Sequence, residues 1–249
     1  MTTGWRSAVC VETRLETPTA RSIRLRVDDL DEVLPGQHVD IRLTADDGYQ
    51  AVRSYSLSAG PDGGPFGRPL ARDEVELTVE ELEGGEVSPY LVEGLEPGDP
   101  VEIRGPIGGW FVWRPTDTRP VQLIGGGSGV APLMAMIRAR VAAGRGPEFR
   151  LLSSVRTPES VYYRADLDEF QSAGSLRLDT VYTREAPAGS PRPAGRLSAA
   201  DLESSVLPPE AGAAFFVCGP NGFVAHVTDL LTALGHDPAL VKTERFGGA

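Results

Sequence analysis

Three short stretches of this 249-residue sequence combine residue types that bind phosphates and flat rings. The first is Arg53-Ser54-Tyr55-Ser56. A guanidinium offers planar, paired donors to a phosphate. On a strand, a tyrosine two residues further on shares the arginine's face and can stack on a flat ring. Ser56 points the other way unless the strand bends, but its backbone and hydroxyl can reach ring heteroatoms. Read alone, the stretch is better described as a strand edge with polar decoration. The second stretch is Gly84-Gly85-Glu86-Val87-Ser88-Pro89. Serine then proline predicts a helix start, with Ser88 as the cap and Pro89 in the first turn. Such a start aims backbone N–H groups and a partial charge of roughly +0.5 at an anion, although a capped surface helix with nothing bound is the commoner case. The third stretch, Gly125-Gly126-Gly127-Ser128-Gly129, follows the apolar run Val121-Gln122-Leu123-Ile124 and precedes Pro132. Strand, glycines and helix in that order place a dinucleotide pyrophosphate at a helix N-terminus. No Gly-Lys-Ser/Thr follows, which excludes a triphosphatase phosphate loop.

The elements that carry these stretches differ between the two halves. Ile23, Leu25 and Val27 alternate with Arg24 and Arg26, and Val39, Ile41 and Leu43 with Asp40 and Arg42. Val75, Leu77 and Val79 repeat the pattern, followed by Val101 and Ile103. Period-two alternation places one face inward and one in water, and turn residues separate the runs. The first half therefore reads as a small antiparallel β-barrel. From Val121 onward, strands expected at 149–152, 176–181 and 213–217 alternate with helices at 131–143, 165–171 and 223–234. That alternation predicts an α/β domain with a parallel sheet. The boundary falls in the polar segment 114–120, giving domains 1–115 and 116–249. Residues 186–195, rich in Ala, Pro and Gly, are the candidate mobile loop.

Composition narrows the chemistry. The net charge of −11 argues against a nucleic-acid partner. No apolar run reaches the roughly 18 residues of a membrane span, and the first residues lack a secretory pattern, so a cytoplasmic location is expected. Cys10 and Cys218 are the two cysteines, and His38, His226 and His236 have no ligand spacing. No metal site is expected. Cys10 and His38 read as ordinary strand residues.

In this order and spacing the three stretches, with Gly105-Pro106-Ile107-Gly108 and Cys218-Gly219-Pro220, resemble the ferredoxin–NADP reductase superfamily over nearly the whole chain. The resemblance implies an FAD-binding β-barrel domain followed by an NAD(P)-binding α/β domain. By similarity, Arg53 binds flavin phosphate, Tyr55 stacks on the isoalloxazine and Ser56 bonds near its reactive nitrogen. Thr78, Val79 and Glu80 lie along the flavin tail, Val79 through its backbone, while Gly85, Val87 and Ser88 hold the phosphates. FAD fits these positions better than FMN. Gly126, Gly127, Ser128 and Gly129 form the nicotinamide-nucleotide turn, and Cys218, with Gly219 and Pro220, lies beside the nicotinamide.

Thr183-Arg184 resembles the pair that NADP-using relatives place on the 2′-phosphate. Ser154 and Arg156 face the same region, and Arg196 is a further candidate, whereas Arg192 reads as a solvated charge. NADPH is the expected donor, with NADH possible. Glu244 and Phe246 match an acidic–x–aromatic ending whose aromatic covers the flavin, although three small residues follow it here. Ser56, Cys218 and Glu244 are the expected catalytic residues.

The implied activity takes hydride from NADPH onto FAD. Electrons then pass singly to an external acceptor, a ferredoxin or an oxygenase iron–sulfur or haem partner. Arg24, Arg26 and Arg104 are candidates for receiving an acidic partner, although each alone reads as a solvated strand residue. The alternatives are a non-catalytic nucleotide-binding electron-transfer or regulatory subunit, or a diaphorase or flavin reductase.

Overall fold

The computed structural model describes residues 4–247; residues 1–3 and 248–249, the outer limits of the two expected domains, lie outside the described residues. Six strands form a closed antiparallel barrel: β1 (Arg6–Thr17), β2 (Ala20–Val27), β3 (His38–Thr44), β4 (Gln50–Ala59), β5 (Glu74–Glu80) and β6 (Pro100–Ile107). Their spatial order is β1-β2-β5-β4-β3-β6, and β1 pairs with β6 to close the ring. The alternating residues Ile23, Leu25, Val39, Ile41, Val75, Leu77 and Val79 all point into one barrel core. Cys10 is buried there on β1. Gly105-Pro106-Ile107 ends β6, where His38 and Asp40 of β3 pair with Ile107 and Arg104.

Five parallel strands make the second lobe: β7 (Val121–Gly126), β8 (Phe149–Val155), β9 (Arg177–Tyr182), β10 (Ala214–Pro220) and β11 (Val241–Phe246). Their order is β11-β10-β7-β8-β9. Both faces are covered, as a parallel sheet requires. Helices α1 (Val130–Ala142) and α2 (Arg164–Ser172) pack on one face, over Leu123, Leu151 and Phe216. Helices α3 (Ala199–Ser205) and α4 (Asn221–Ala233) cover the other, over Ile124, Leu152 and Val217. The period-two and strand–helix readings hold for the elements they named. They missed α3 and β11, as well as the full length of β1. No described helix is long and apolar enough to cross a membrane.

The outer face of β5 joins the lobes. Its odd-numbered residues enter the barrel core, so Glu76, Thr78 and Glu80 all project toward the second lobe. Arg138 of α1, fully buried, donates to Glu76 Oε1 at 2.6 Å and to the Ser58 carbonyl at 3.0 Å. Its Nε and Nη2 both reach Asp166 Oδ2 of α2, at 3.0 and 2.6 Å. Tyr163, in a left-handed backbone conformation, donates its hydroxyl to Thr78 Oγ1 at 2.6 Å, and Thr78 bonds Ser22 at 2.8 Å. A guanidinium against two carboxylates and a carbonyl satisfies charges that would otherwise be costly to bury.

Candidate functional site

The first phosphate-and-ring stretch lies on β4, where Ser56 pairs with His38 and Tyr55 with Val39. Tyr55 is half-buried against the barrel core, and burial pushes its hydroxyl pKa up to about 12. Arg53 extends outward, where Nη1 donates to the Val52 carbonyl at 2.8 Å and Nη2 to Glu86 Oε2 at 2.6 Å. The other Glu86 oxygen accepts from the Tyr49 hydroxyl at 2.7 Å. Arg53 is therefore brought to the Gly85–Ser88 stretch, the juxtaposition its expected phosphate role needs.

Ser88 does not cap a helix. Its hydroxyl accepts from the Leu82 N–H at 3.0 Å, closing the loop between them, and the turn that follows (Tyr90–Gly94) is one wide turn ending in a Leu95 N–H to Tyr90 carbonyl bond. A Cβ on Gly85 would press to 2.8 Å from that same Ser88 hydroxyl, which explains the glycine. Val87 is buried in the barrel core, as is Val79. Thr78 does not present its hydroxyl to an open cleft, because the outer face of β5 meets the second lobe. Glu80, one step further along that face, accepts from Ser128 Oγ at 2.8 Å.

That bond leads into the glycine turn. Residues 127–129 form a tight helical turn between β7 and α1. A Cβ on Gly126 would come within 2.7 Å of the Phe223 ring, and one on Gly129 would collide with the Cys218 carbonyl. Gly127, at φ +57°, has nothing within 4 Å of the place a Cβ would take. The turn is thus packed on two sides and open on the third. The open side faces a cleft of about 420 Å³ lined by Gly126, Gly127, Ser128, Ser154, Arg156, Thr183, Pro220 and Phe246, with Glu80 from the barrel. Thr17, Thr157, Ser160, Tyr162 and Phe223 are among the other lining residues and were not singled out from sequence. For Tyr162 and Thr157 the available signal was position, one residue from Tyr163 and one past Arg156, which no spacing rule selects.

The strand β11 connects this cleft to β4. In register with β10, Glu244 lies beside Cys218 and Phe246 beside Pro220. Alternate residues of β11 share a face. Along it, Lys242 donates to the Val112 carbonyl at 3.1 Å, Glu244 Oε1 accepts from Ser56 Oγ at 2.9 Å, and Phe246 borders the cleft. Burial pushes the Glu244 carboxyl pKa up, while the Ser56 bond pulls it back. Ser56 and Glu244, 188 positions apart, are hydrogen-bonded across the lobes.

Other expected residues land elsewhere. Cys218 is completely buried and packs in the core with Leu123 and Phe216, not on the cleft wall. Desolvation first, and the nearby Glu244 second, push its thiol pKa well up, so it is a neutral thiol. Gly219 lies against Gly126 and Phe223. Arg184 is outside the cleft lining, but its N–H donates to the Arg156 carbonyl at 2.9 Å, so the two arginines are adjacent. Arg192 is not a solvated charge. It clasps both Asp201 oxygens, and with the Gly195 to Tyr182 backbone bond it ties down the loop read as mobile. Arg196 is exposed. Arg24, Arg26 and Arg104 are each ion-paired, to Glu12, Glu74 and Asp40 among others, which neutralises the expected basic patch. Among the described residues no group of three or more His, Cys, Asp or Glu side chains could hold a metal ion.

The donor set suits a dinucleotide and a flavin. Arg53 offers a guanidinium with the Ser88 loop beside it, Tyr55 a half-buried ring, and Gly127 an open cradle bordered by Ser154, Thr183 and Arg156. Comparison with known proteins agrees. Residues 9–112 match the description "Oxidoreductase FAD-binding domain" and residues 123–229 match "Oxidoreductase NAD-binding domain". The glycine betaine monooxygenase reductase subunit of Chromohalobacter salexigens is 31% identical over 99% of this chain and 65% of its own length. The ferredoxin–NAD(P)+ reductase component of the naphthalene 1,2-dioxygenase/salicylate 5-hydroxylase systems of a Ralstonia species is 28% identical over 92% of this chain and 65% of its own. The chain thus spans about 65% of the length of these relatives. The FAD/NAD-binding domain of nitric oxide dioxygenase from Vibrio cholerae superimposes with a TM-score of 0.82 at 26% identity, covering 98% of this chain and 99% of that one. The chain belongs to the ferredoxin–NADP reductase-like superfamily of FAD- and NAD-binding oxidoreductases.

Proposed function

We propose that this protein is a flavoprotein reductase that draws electrons from NADPH through FAD and delivers them to a separate acceptor, a ferredoxin or an oxygenase component. The observation that carries the reading is the Ser56–Glu244 bond, which sets the ring-and-phosphate strand against the strand that borders the nucleotide cleft. A bound flavin supplies the conversion between a two-electron donor and a one-electron acceptor. The protein supplies binding and orientation. Arg53, Gly85, Ser88 and the backbone of Val87 hold the flavin phosphates and Tyr55 its ring, with Glu80 and the backbone of Val79 along the tail. The turn at 126–129, with Ser154, Arg156 and Thr183, holds the nucleotide. Glu244, with its raised pKa, holds or releases a proton at Ser56 Oγ. The neutral thiol of Cys218 lies beside Glu244 on the neighbouring strand.

For the acceptor, support comes from the relatives named as reductase components of oxygenase systems. Cys10 and Cys218 are buried in different lobes, so the two thiols do not share a site. The choice of NADPH is supported by Arg156 on the cleft wall with Arg184 beside it. The division into 1–115 and 116–249 belongs to the same proposal. Anaerobic reduction of the flavin-loaded protein by NADPH and by NADH tests the donor. Replacing Arg156 or Arg184 by alanine is expected to lower the NADPH:NADH ratio of reduction rates, and an unchanged ratio in both variants would overturn the 2′-phosphate assignment.

A further inference from the structure

Resting on the flavin reading above, we propose that Glu86 is a selectivity residue that admits a flavin joined through a pyrophosphate to adenylate and disfavours a flavin ending in a phosphomonoester. Glu86 lies within the same stretch that carries Gly85 and Ser88, and it already occupies the Arg53 fork. Arg53 Nη2 donates to one carboxylate oxygen at 2.6 Å, and the Tyr49 hydroxyl donates to the other at 2.7 Å. These two hydrogen bonds, that of Tyr49 first, hold the Glu86 carboxyl below its ordinary pKa, so it is an anion at neutral pH. Any phosphate that takes Arg53 must share the guanidinium with this carboxylate or displace it.

Charge then separates the two flavin classes. A phosphomonoester carries about −1.5 to −2 at pH 7 because its second pKa is about 6. A pyrophosphate diester carries about −2 in total but divides it between two phosphates, so the phosphate that takes Arg53 brings a single charge beside Glu86 and the second lies further off. Shape acts in the same direction. Beyond Glu86 lies a cavity of about 530 Å³ lined by Tyr49, Tyr90, Arg42 and Ala51. A ligand that continues past the phosphates enters that cavity and gains aromatic and apolar contacts, whereas one that ends at the phosphate leaves its full charge beside Glu86. Arg53 and Glu86 are about half exposed, which leaves Glu86 free to swing as the phosphate arrives.

The test is a flavin-binding titration, read by quenching of flavin fluorescence, with flavin-stripped wild type and Glu86→Gln. Glutamine keeps the size and one of the two acceptors, for Tyr49 or for Arg53, so the variant removes the charge together with one hydrogen bond. The expected result is that the FMN dissociation constant falls about tenfold in the variant while that of FAD moves much less. In wild type, FMN should also tighten more than FAD as pH drops through about 6, where the monoester gains its proton. An unchanged FMN:FAD ratio in the variant overturns the selectivity role. Weaker binding of both flavins overturns it too, since Glu86 would then be a clasp that positions Arg53. Wild type that binds neither flavin removes the flavin reading itself, and the proposal with it.

Discussion

The two lobes touch along two very different lines of contact. One runs along the outer face of β5, where Arg138 is fully buried between Glu76 and Asp166 and Tyr163 locks onto Thr78. The other is the Ser56–Glu244 bond, whose groups are half-buried beside the nucleotide cleft. The first is sealed, multiply bonded and ionic. The second is a hydrogen bond from a serine hydroxyl to a carboxyl whose pKa burial raises. The contrast teaches that rigidity and chemistry are divided: the sealed line fixes how the lobes face each other, which lets the other stay lightly held where cofactors must meet.

The comparison breaks most visibly at Arg138. Arg138→Ala would leave two carboxylates buried without their counter-charge, and should cost about 3–5 kcal/mol in urea unfolding. A cost below 1 kcal/mol would mean that the sealed line does not hold the lobes. Gly129→Ala comes next, since its Cβ would meet the Cys218 carbonyl and push the glycine turn off β10. It should lose about 1–3 kcal/mol and weaken nucleotide binding in equilibrium titration. Gly127→Ala, with open space around its Cβ, should show only the left-handed strain of about 1–2 kcal/mol.

Ser56→Ala should sharpen the contrast from the other side. Its stability loss should stay near 1 kcal/mol, yet flavin reduction should slow by about a hundredfold if Ser56 and Glu244 move a proton together. Equal effects of Ser56→Ala on stability and rate would assign the bond to architecture alone.

The smallest effect is a pH dependence. Burial raises the folded-state pKa of Glu244, so its contribution to stability is fully present below the unfolded carboxyl value and is lost as pH rises through the folded one. Glu244→Gln removes that loss. The variant should be more stable than wild type at pH 8, with the gap closing on acidification, as read from thermal unfolding across pH. A gap that widens toward acid would contradict the burial.

Much of this was legible in the sequence, and the omissions have physical causes. Alternation at Ile23–Val27 and Val75–Val79 located barrel strands because one face of each is core. The same alternation leaves the other face of Val75–Val79, which carries Glu76, in water, whereas the structure buries it. Alternation reports which face is polar, and a polar face is buried when another lobe supplies its counter-charges. The signal for that was Arg138 itself, a charge that directly follows the apolar run Met134-Ala135-Met136-Ile137. The strand β11 was missed because its burial is only partial along its length, so no apolar alternation marks it. Helix α3 has seven residues, too few for a hydrophobic period, yet its capping box from Ser198 to Asp201 was readable. Ser56 and Glu244 were both named from resemblance, but their meeting depends on β11 pairing with β10, which no local spacing encodes.

The most direct test of the central claim is anaerobic titration of the FAD-reconstituted protein with NADPH, followed through the visible flavin absorbance. The account predicts a yellow protein that bleaches on NADPH and recovers its colour when an electron acceptor is added. A protein that stays colourless with FAD, or a yellow one that neither NADPH nor NADH bleaches, would contradict it.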